Sequence, residues 1–99
     1  MKLIEQHIES LQELCKRHYV EKMYLFGSAL NQNFNASSDI DFLVKFQKID
    51  LAQYFNNYMD LKDDLKKLLG REIDLVEEQS LRNPILINSI NQHKQLIYG

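Results

Sequence analysis

Two short apolar runs, each interrupted by a carboxylate, set the narrowest limits on how this chain can fold. Ile40-Asp41-Phe42-Leu43-Val44 is preceded by Asp39, and Ile73-Asp74-Leu75-Val76 repeats the pattern later in the chain. Branched and aromatic residues at this density read as strands. At a period of two, Asp39, Asp41 and Leu43 leave one face while Ile40, Phe42 and Val44 leave the other. A sheet built from such strands is apolar on one side and acidic on the other. Carboxylates held in apolar surroundings are costly unless something cationic neutralises them.

The remaining punctuation divides the chain into alternating elements. Ile4, Ile8, Leu11, Leu14 and Cys15 recur at helical spacing and predict one amphipathic helix over 2–18. Residues 20–26 read as a strand that Gly27 ends, and 29–38, rich in Asn, Ser and Ala, as a helical turn followed by a loop. The second strand is placed at 39–45. Asp50 is the expected N-cap of a long helix carrying Leu51, Tyr54, Phe55, Tyr58, Leu61, Leu65, Leu68 and Leu69, with Gly70 as its stop. A third strand is expected at 72–76. Asn83-Pro84 starts a short helix running to about Ile90, and 94–98 forms a last strand. Helices alternating with strands predict an α/β (α+β) fold, a mixed β-sheet flanked by helices.

Ninety-nine residues suit one domain, expected over 1–99. Twelve Lys and Arg against fourteen Asp and Glu leave a net charge of −2, so no basic face advertises long nucleic acid as a partner. No run approaches membrane-spanning length, and the first ten residues lack the apolar stretch of a leader peptide. A cytoplasmic protein without a membrane partner is the expectation. Cys15 is the lone cysteine, which excludes an internal disulfide; its place on an apolar helix face predicts a buried small hydrophobe. His7, His18 and His93 have no mutual spacing suited to a metal and read as surface or cap residues. Phe34 reads as a loop aromatic folded onto the core, and Tyr54, Phe55, Tyr58 and Met59 as a core stripe whose outer edge can dock a partner. The run 62–67, mixed in sign, reads as a solvated helix face.

The three acids carry the chemistry. Asp39 and Asp41 lie about 6.6 Å apart along a strand and leave the same face. If the first two strands are antiparallel neighbours, the Gly27-Ser28 turn lies beside Asp39. A neighbouring third strand brings Asp74 alongside Asp41. Two like charges 4 Å apart cost roughly 4 kcal/mol at an effective dielectric of 20, so the cluster calls for a cation. Beside a small-residue turn able to hold phosphate, Mg²⁺ carrying a nucleotide is the natural choice. Three such carboxylates can hold two Mg²⁺ ions roughly 3.5–4 Å apart, one for the attacking and one for the leaving oxygen. The pattern predicts a phosphoryl- or nucleotidyl-transfer site.

Gly27-Ser28, ten intervening residues and Asp39-Ile40-Asp41 before an apolar run resemble the minimal nucleotidyltransferase (MNT) family of the DNA polymerase β-like superfamily. Ile73-Asp74-Leu75-Val76 resembles that family's third acidic strand, and the segment 84–99 is similar as well. The resemblance implies a nucleotidyltransferase fold using Mg²⁺ and a nucleoside triphosphate, usually ATP. It implies Asp39, Asp41 and Asp74 as catalytic metal ligands, Asp74 serving the acceptor hydroxyl, and Gly27 and Ser28 as phosphate-binding residues. Many small members resemble antitoxins of HEPN-domain ribonucleases, acting by adenylylating a tyrosine hydroxyl of the toxin or by direct binding. The family commonly follows Gly-Ser with Arg, a small residue, Arg and Gly; here Ala29, Leu30, Asn31 and Gln32 stand instead. Two cations are thereby absent, while Asn31 and Gln32 remain hydrogen-bond donors. The expectation is a Mg²⁺-dependent transfer of AMP from ATP to a hydroxyl of a HEPN-type toxin. A non-catalytic binding antitoxin and an enzyme acting on a small molecule are the alternatives, and the acceptor, base preference and any homo-oligomer stay open.

Overall fold

A computed structural model describes residues 2–27 and 39–99. Along the chain come α1 (Lys2–Gln6), α2 (Ile8–Arg17), β1 (Val20–Phe26), β2 (Ile40–Phe46), α3 (Leu51–Leu69), β3 (Ile73–Glu77), α4 (Pro84–His93) and β4 (Gln95–Tyr98). The strands form one mixed sheet in the order β3-β2-β1-β4. β1 is antiparallel to both β2 and β4, and β2 is parallel to β3. The predicted α/β class, with a mixed sheet and flanking helices, is the fold found.

The alternation of each strand decides where the core lies. Val20, Met23 and Leu25 of β1 and Ile40, Phe42, Val44 and Phe46 of β2 are all buried, as are Ile73, Leu75 and Ile97. They join Leu11, Leu14 and Cys15 of α2 and Leu61, Leu65 and Leu69 of α3 in one cluster. α2 and α3 pack on each other, α2 against β1 and β4, and α3 against β3. Phe46 and Tyr54 meet edge to face with ring centroids 5.6 Å apart, a preferred aromatic geometry. The Asn57 amide donates to the His18 carbonyl at 2.8 Å, fastening α3 to the end of α2.

Several helix ends follow the residues expected to make them. Gly70 takes the left-handed conformation at φ 65 and its N–H bonds the Lys66 carbonyl, ending α3. The Asn83 Oδ1 accepts from the N–H groups of Ile85 (3.0 Å) and Leu86 (3.5 Å), with Pro84 at the first helical position. Asp50 precedes α3 as expected but makes no side-chain cap bond. α4 runs to His93, a turn beyond the expected end, and β2 and β3 are each shifted one residue later than expected.

Two expectations fail. The helix over 2–18 is broken at His7, whose backbone leaves helical values (φ −116, ψ 16). The imidazole Nδ1 bonds the Leu3 carbonyl at 3.0 Å while the His7 N–H turns to Ile4 instead. The side chain thus takes the acceptor that the backbone needs to continue the helix. The aromatic stripe of α3 is also split. Tyr54 and Tyr58 are half-buried against the core, but Leu51, Phe55 and Met59 face solvent, with Phe55 67% exposed. The short 3₁₀ turn Glu78–Ser80 was not foreseen. The expected turn and loop at 29–38, with Phe34, lie outside the described residues.

Cys15 is fully buried with its Sγ 3.7 Å from the Met23 sulfur, and burial pushes its thiol pKa from 9.0 up to about 12. The folded thiol keeps its proton where the unfolded one has lost it. This contribution to stability is complete below pH 9 and is lost as pH rises towards 12, by at most about 1.4 kcal/mol per pH unit. Thermal melts across that range should therefore fall more steeply for wild type than for Cys15→Ala. Parallel alkaline slopes in the two proteins contradict the assignment.

Candidate functional site

The sheet register assembles the acidic face. Asp41 of β2 lies opposite Asp74 of β3 on one side and opposite Phe26 of β1 on the other. Residues paired in this way share a face. Since Ile40 and Phe42 are buried beneath α2 and α3, Asp41 and Asp74 emerge on the opposite side. Asp74 is exposed and Asp41 half-buried. Asp39 immediately precedes β2, is exposed, and stands about 6.6 Å from Asp41 along the chain. The next bond fixes its position, because the Ile40 N–H donates to the Glu72 carbonyl at 3.0 Å and ties the start of β2 to the start of β3. On the same face Leu43 is buried outside the principal core cluster, so the face is open around the acids and closed further along β2.

Gly27 terminates β1 directly beside this row. Its φ of +74 belongs to the left-handed region that favours glycine. A Cβ added there would lie 2.2 Å from the Asp41 Oδ2 and 3.1 Å from its Cγ. The carboxylate therefore rests against bare backbone at the point where the strand ends, in space that any other residue would fill. Ser28, the other residue expected to hold phosphate, lies outside the described residues, as do Ala29, Leu30, Asn31 and Gln32. Among the described residues, no three His, Cys, Asp or Glu side chains converge as a ready-made metal cage. The acids are brought to one face, Asp41 and Asp74 on one rung and Asp39 further along the chain, without being gathered onto a single point.

Tyr58, which the sequence assigned only to a core stripe, supports the row from the far side. Its hydroxyl donates to the Leu75 carbonyl, bonding α3 to β3 at the residue after Asp74. Burial, and then the charge of Asp74, hold its pKa above the ordinary tyrosine value. Beside it a groove of about 440 Å³ runs between α3 and the edge of β3, lined by Tyr54, Phe55, Leu75 and Val76 among others. No motif could have announced Tyr58, since its partner is a backbone atom seventeen residues away.

A family model of the polymerase beta nucleotidyltransferases matches residues 9–99. The chain belongs to that family. Protein adenylyltransferase MntA of Thermococcus cleftensis is 34% identical over 85 residues, covering 81% of this chain and 83% of the relative. A solved structure provisionally described as a minimal nucleotidyltransferase superposes with a TM-score of 0.79 at 28% identity, covering 95% of this chain and 92% of the other. A chain from the tri-AMPylated Shewanella oneidensis HEPN toxin in complex with MNT antitoxin matches with a TM-score of 0.65 over 96% of this chain and 71% of the other. At 21% identity that last likeness is one of fold. Among the described residues no helix is long and apolar enough to cross a membrane.

The contact at Gly27 yields a direct test. Gly27→Ala forces a left-handed alanine, at about 1 kcal/mol or more, and drives the Asp41 carboxylate out of its place. A loss near 1 kcal/mol lowers the melting temperature by about 4–8 °C in a domain of this size. Nucleotidyl transfer should fall far more than that loss of stability accounts for. A variant that melts lower yet transfers at the wild-type rate shows that the Asp41 position is not needed.

Proposed function

We propose that this protein is a Mg²⁺-dependent adenylyltransferase that moves AMP from ATP to a hydroxyl of a protein partner, a HEPN-type toxin, and so serves as an antitoxin. The observation that carries the reading is the rung pairing Asp41 with Asp74, set against the bare backbone of Gly27. Similarity to a protein adenylyltransferase, and to a fold found with an AMPylated HEPN toxin, supports the choice of nucleotide and acceptor.

The donor set fits a hard cation. Asp39, Asp41 and Asp74 offer only oxygen ligands, two of them one strand spacing apart, which suits Mg²⁺ and its retained waters. Held by Asp39, Asp41 and Asp74, one or two Mg²⁺ ions would supply positive charge for the triphosphate and for the leaving oxygen. The chain supplies the rest. Gly27, with Ser28 following, lets phosphate oxygens approach backbone N–H groups closely. Asp74, exposed on the edge strand, is where the acceptor hydroxyl gives up its proton as its oxygen bonds to the α-phosphorus. The bond from that phosphorus to the bridging oxygen breaks, and pyrophosphate leaves with the electron pair. Asp39 and Asp41 fix the nucleotide end of the row.

A second reading, an antitoxin acting by binding alone, draws on the solvent-facing line of Leu51, Phe55 and Met59 on α3, an exposed apolar strip. The two readings part on the need for the carboxylates. Changing Asp39 and Asp41 together to Asn preserves shape and removes charge. Loss of one preorganised electrostatic group costs roughly 10²–10³ in rate in comparable sites, so incorporation of labelled AMP into the purified toxin should become undetectable while a pull-down still recovers the pair. If wild type transfers nothing and the double variant still neutralises its toxin in cells, the binding reading replaces the catalytic one.

The metal has its own readout. At a hundredfold excess over its dissociation constant a ligand of the native state adds about 2.7 kcal/mol. Millimolar Mg²⁺ should raise the melting temperature beyond what NaCl of equal ionic strength gives, and the D39N/D41N protein should lose that increment. Equal melts in both salts argue against a metal at these acids.

A further inference from the structure

Among the described residues, Lys94 stands in line with the acids across the sheet. On the same face Lys22 and Lys45 lie opposite each other further along β1 and β2, Lys45 pairing with Glu21 at 3.1 Å, and on α3 Lys66 pairs with Glu72 at 3.1 Å. Lys94 joins α4 to β4, and its backbone N–H is held by the Ile90 carbonyl at 2.8 Å. The β1–β4 ladder pairs Tyr24 with Leu96 and Leu25 with Gln95. One step further along that antiparallel ladder, Lys94 stands beside Phe26. Phe26 in turn is opposite Asp41, and Asp41 opposite Asp74. The transverse row across all four strands therefore reads Asp74, Asp41, Phe26, Lys94. With strands about 4.8 Å apart, the backbones of Asp41 and Lys94 are about 10 Å from each other.

The side chain is on the right face as well. Met23 and Leu25 point into the core, so Tyr24 between them emerges on the face of Asp41. The Lys94 Nζ lies over the Tyr24 ring, 4.1 Å from its centroid. A lysine at a helix C-terminus complements the negative end of the helix dipole in whatever direction it points. The direction taken here is onto the acidic face, and the ring holds the ammonium without a carboxylate to neutralise it. Among the described residues Lys94 forms no ion pair, and its charge is available to an incoming anion. Tyr24 is opposite Leu43, so the ammonium rests two residues along β1 from the row, within a lysine side chain's swing of an anion that extends from the acids across Phe26.

Resting on the adenylyltransferase reading above, we propose that Lys94, whose backbone stands in the row of Asp41 and Asp74 and whose ammonium rests on Tyr24, binds the β- and γ-phosphates of the nucleotide and receives the pyrophosphate leaving group. The chain thereby places a cation from the junction of α4 and β4 at the phosphates, in a protein with Ala29 and Asn31 after Gly27-Ser28.

Calorimetric titration of the full chain with Mg²⁺ and a non-hydrolysable ATP analogue, and separately with AMP, tests the assignment. Lys94→Met keeps the stem and removes the charge. It should weaken the ATP analogue about ten- to hundredfold, the scale of one contact to a charged group, and leave AMP binding unchanged. Lys94→Arg should restore most of the difference. Should the Met variant melt well below wild type, Lys94→Gln takes its place in the same titrations. A Lys94→Met protein that binds the analogue as wild type does overturns the proposal and leaves the adenylyltransferase reading standing. An equal loss for AMP and the analogue overturns the assignment to the outer phosphates. Wild type that binds neither nucleotide removes the adenylyltransferase reading itself, and this proposal with it.

Discussion

Everything in this structure hangs on β2, which must satisfy two opposite demands along seven residues. Its inward residues, Ile40, Phe42, Val44 and Phe46, form the middle of the core beneath α2 and α3. Its outward residue Asp41 is flanked by β3 on one side and β1 on the other. Burying the first set fixes the register, because slipping by one residue would send Ile40, Phe42, Val44 and Phe46 to the other face and the Asp41 carboxylate into the core. Hydrophobic burial thus does the aiming. The acids are held in position by residues that never touch a substrate.

The neighbouring elements refine that position. Gly27 gives the Asp41 carboxylate room at the end of β1, and the Ile40–Glu72 bond ties the openings of the two parallel strands. Tyr58 then engages the Leu75 carbonyl on the side of β3 away from β2. Asp74 is consequently braced from both flanks while remaining exposed. One glycine, one backbone bond and one tyrosine hydroxyl thus set the place of the acids without a deep cavity.

How much of this the sequence discloses depends on how local each cause is. The phase of Asp41 against Ile40 and Phe42 is a matter of adjacent residues, and the caps at Gly70 and Asn83 depend on single side chains; all were legible. The break at His7 was not, since Leu3, Ile4, Ile8 and Leu11 keep helical spacing straight across it while the imidazole diverts one carbonyl. The line Leu51-Phe55-Met59 marks a helix correctly but says nothing about which side is covered. That side is set by where α2 and β3 lie, and they meet Leu61, Leu65 and Leu69 instead. The row ending at Lys94 depends on strand order, and no pattern in the chain places β4 beside β1.

The parallel pairing of β2 with β3 also determines when the acidic face comes into being. A hairpin turn cannot join parallel strands, so α3 must first be laid across the sheet before Asp74 can reach Asp41. Contacts closed over so long a loop form late, after their entropy has been spent on ordering the crossover. Asp41 and Asp74 are then far apart during the early pairing of β1 and β2, and meet only once the native rung closes. A cation bound between them acts chiefly after the folding barrier, holding the finished protein shut rather than hastening its formation.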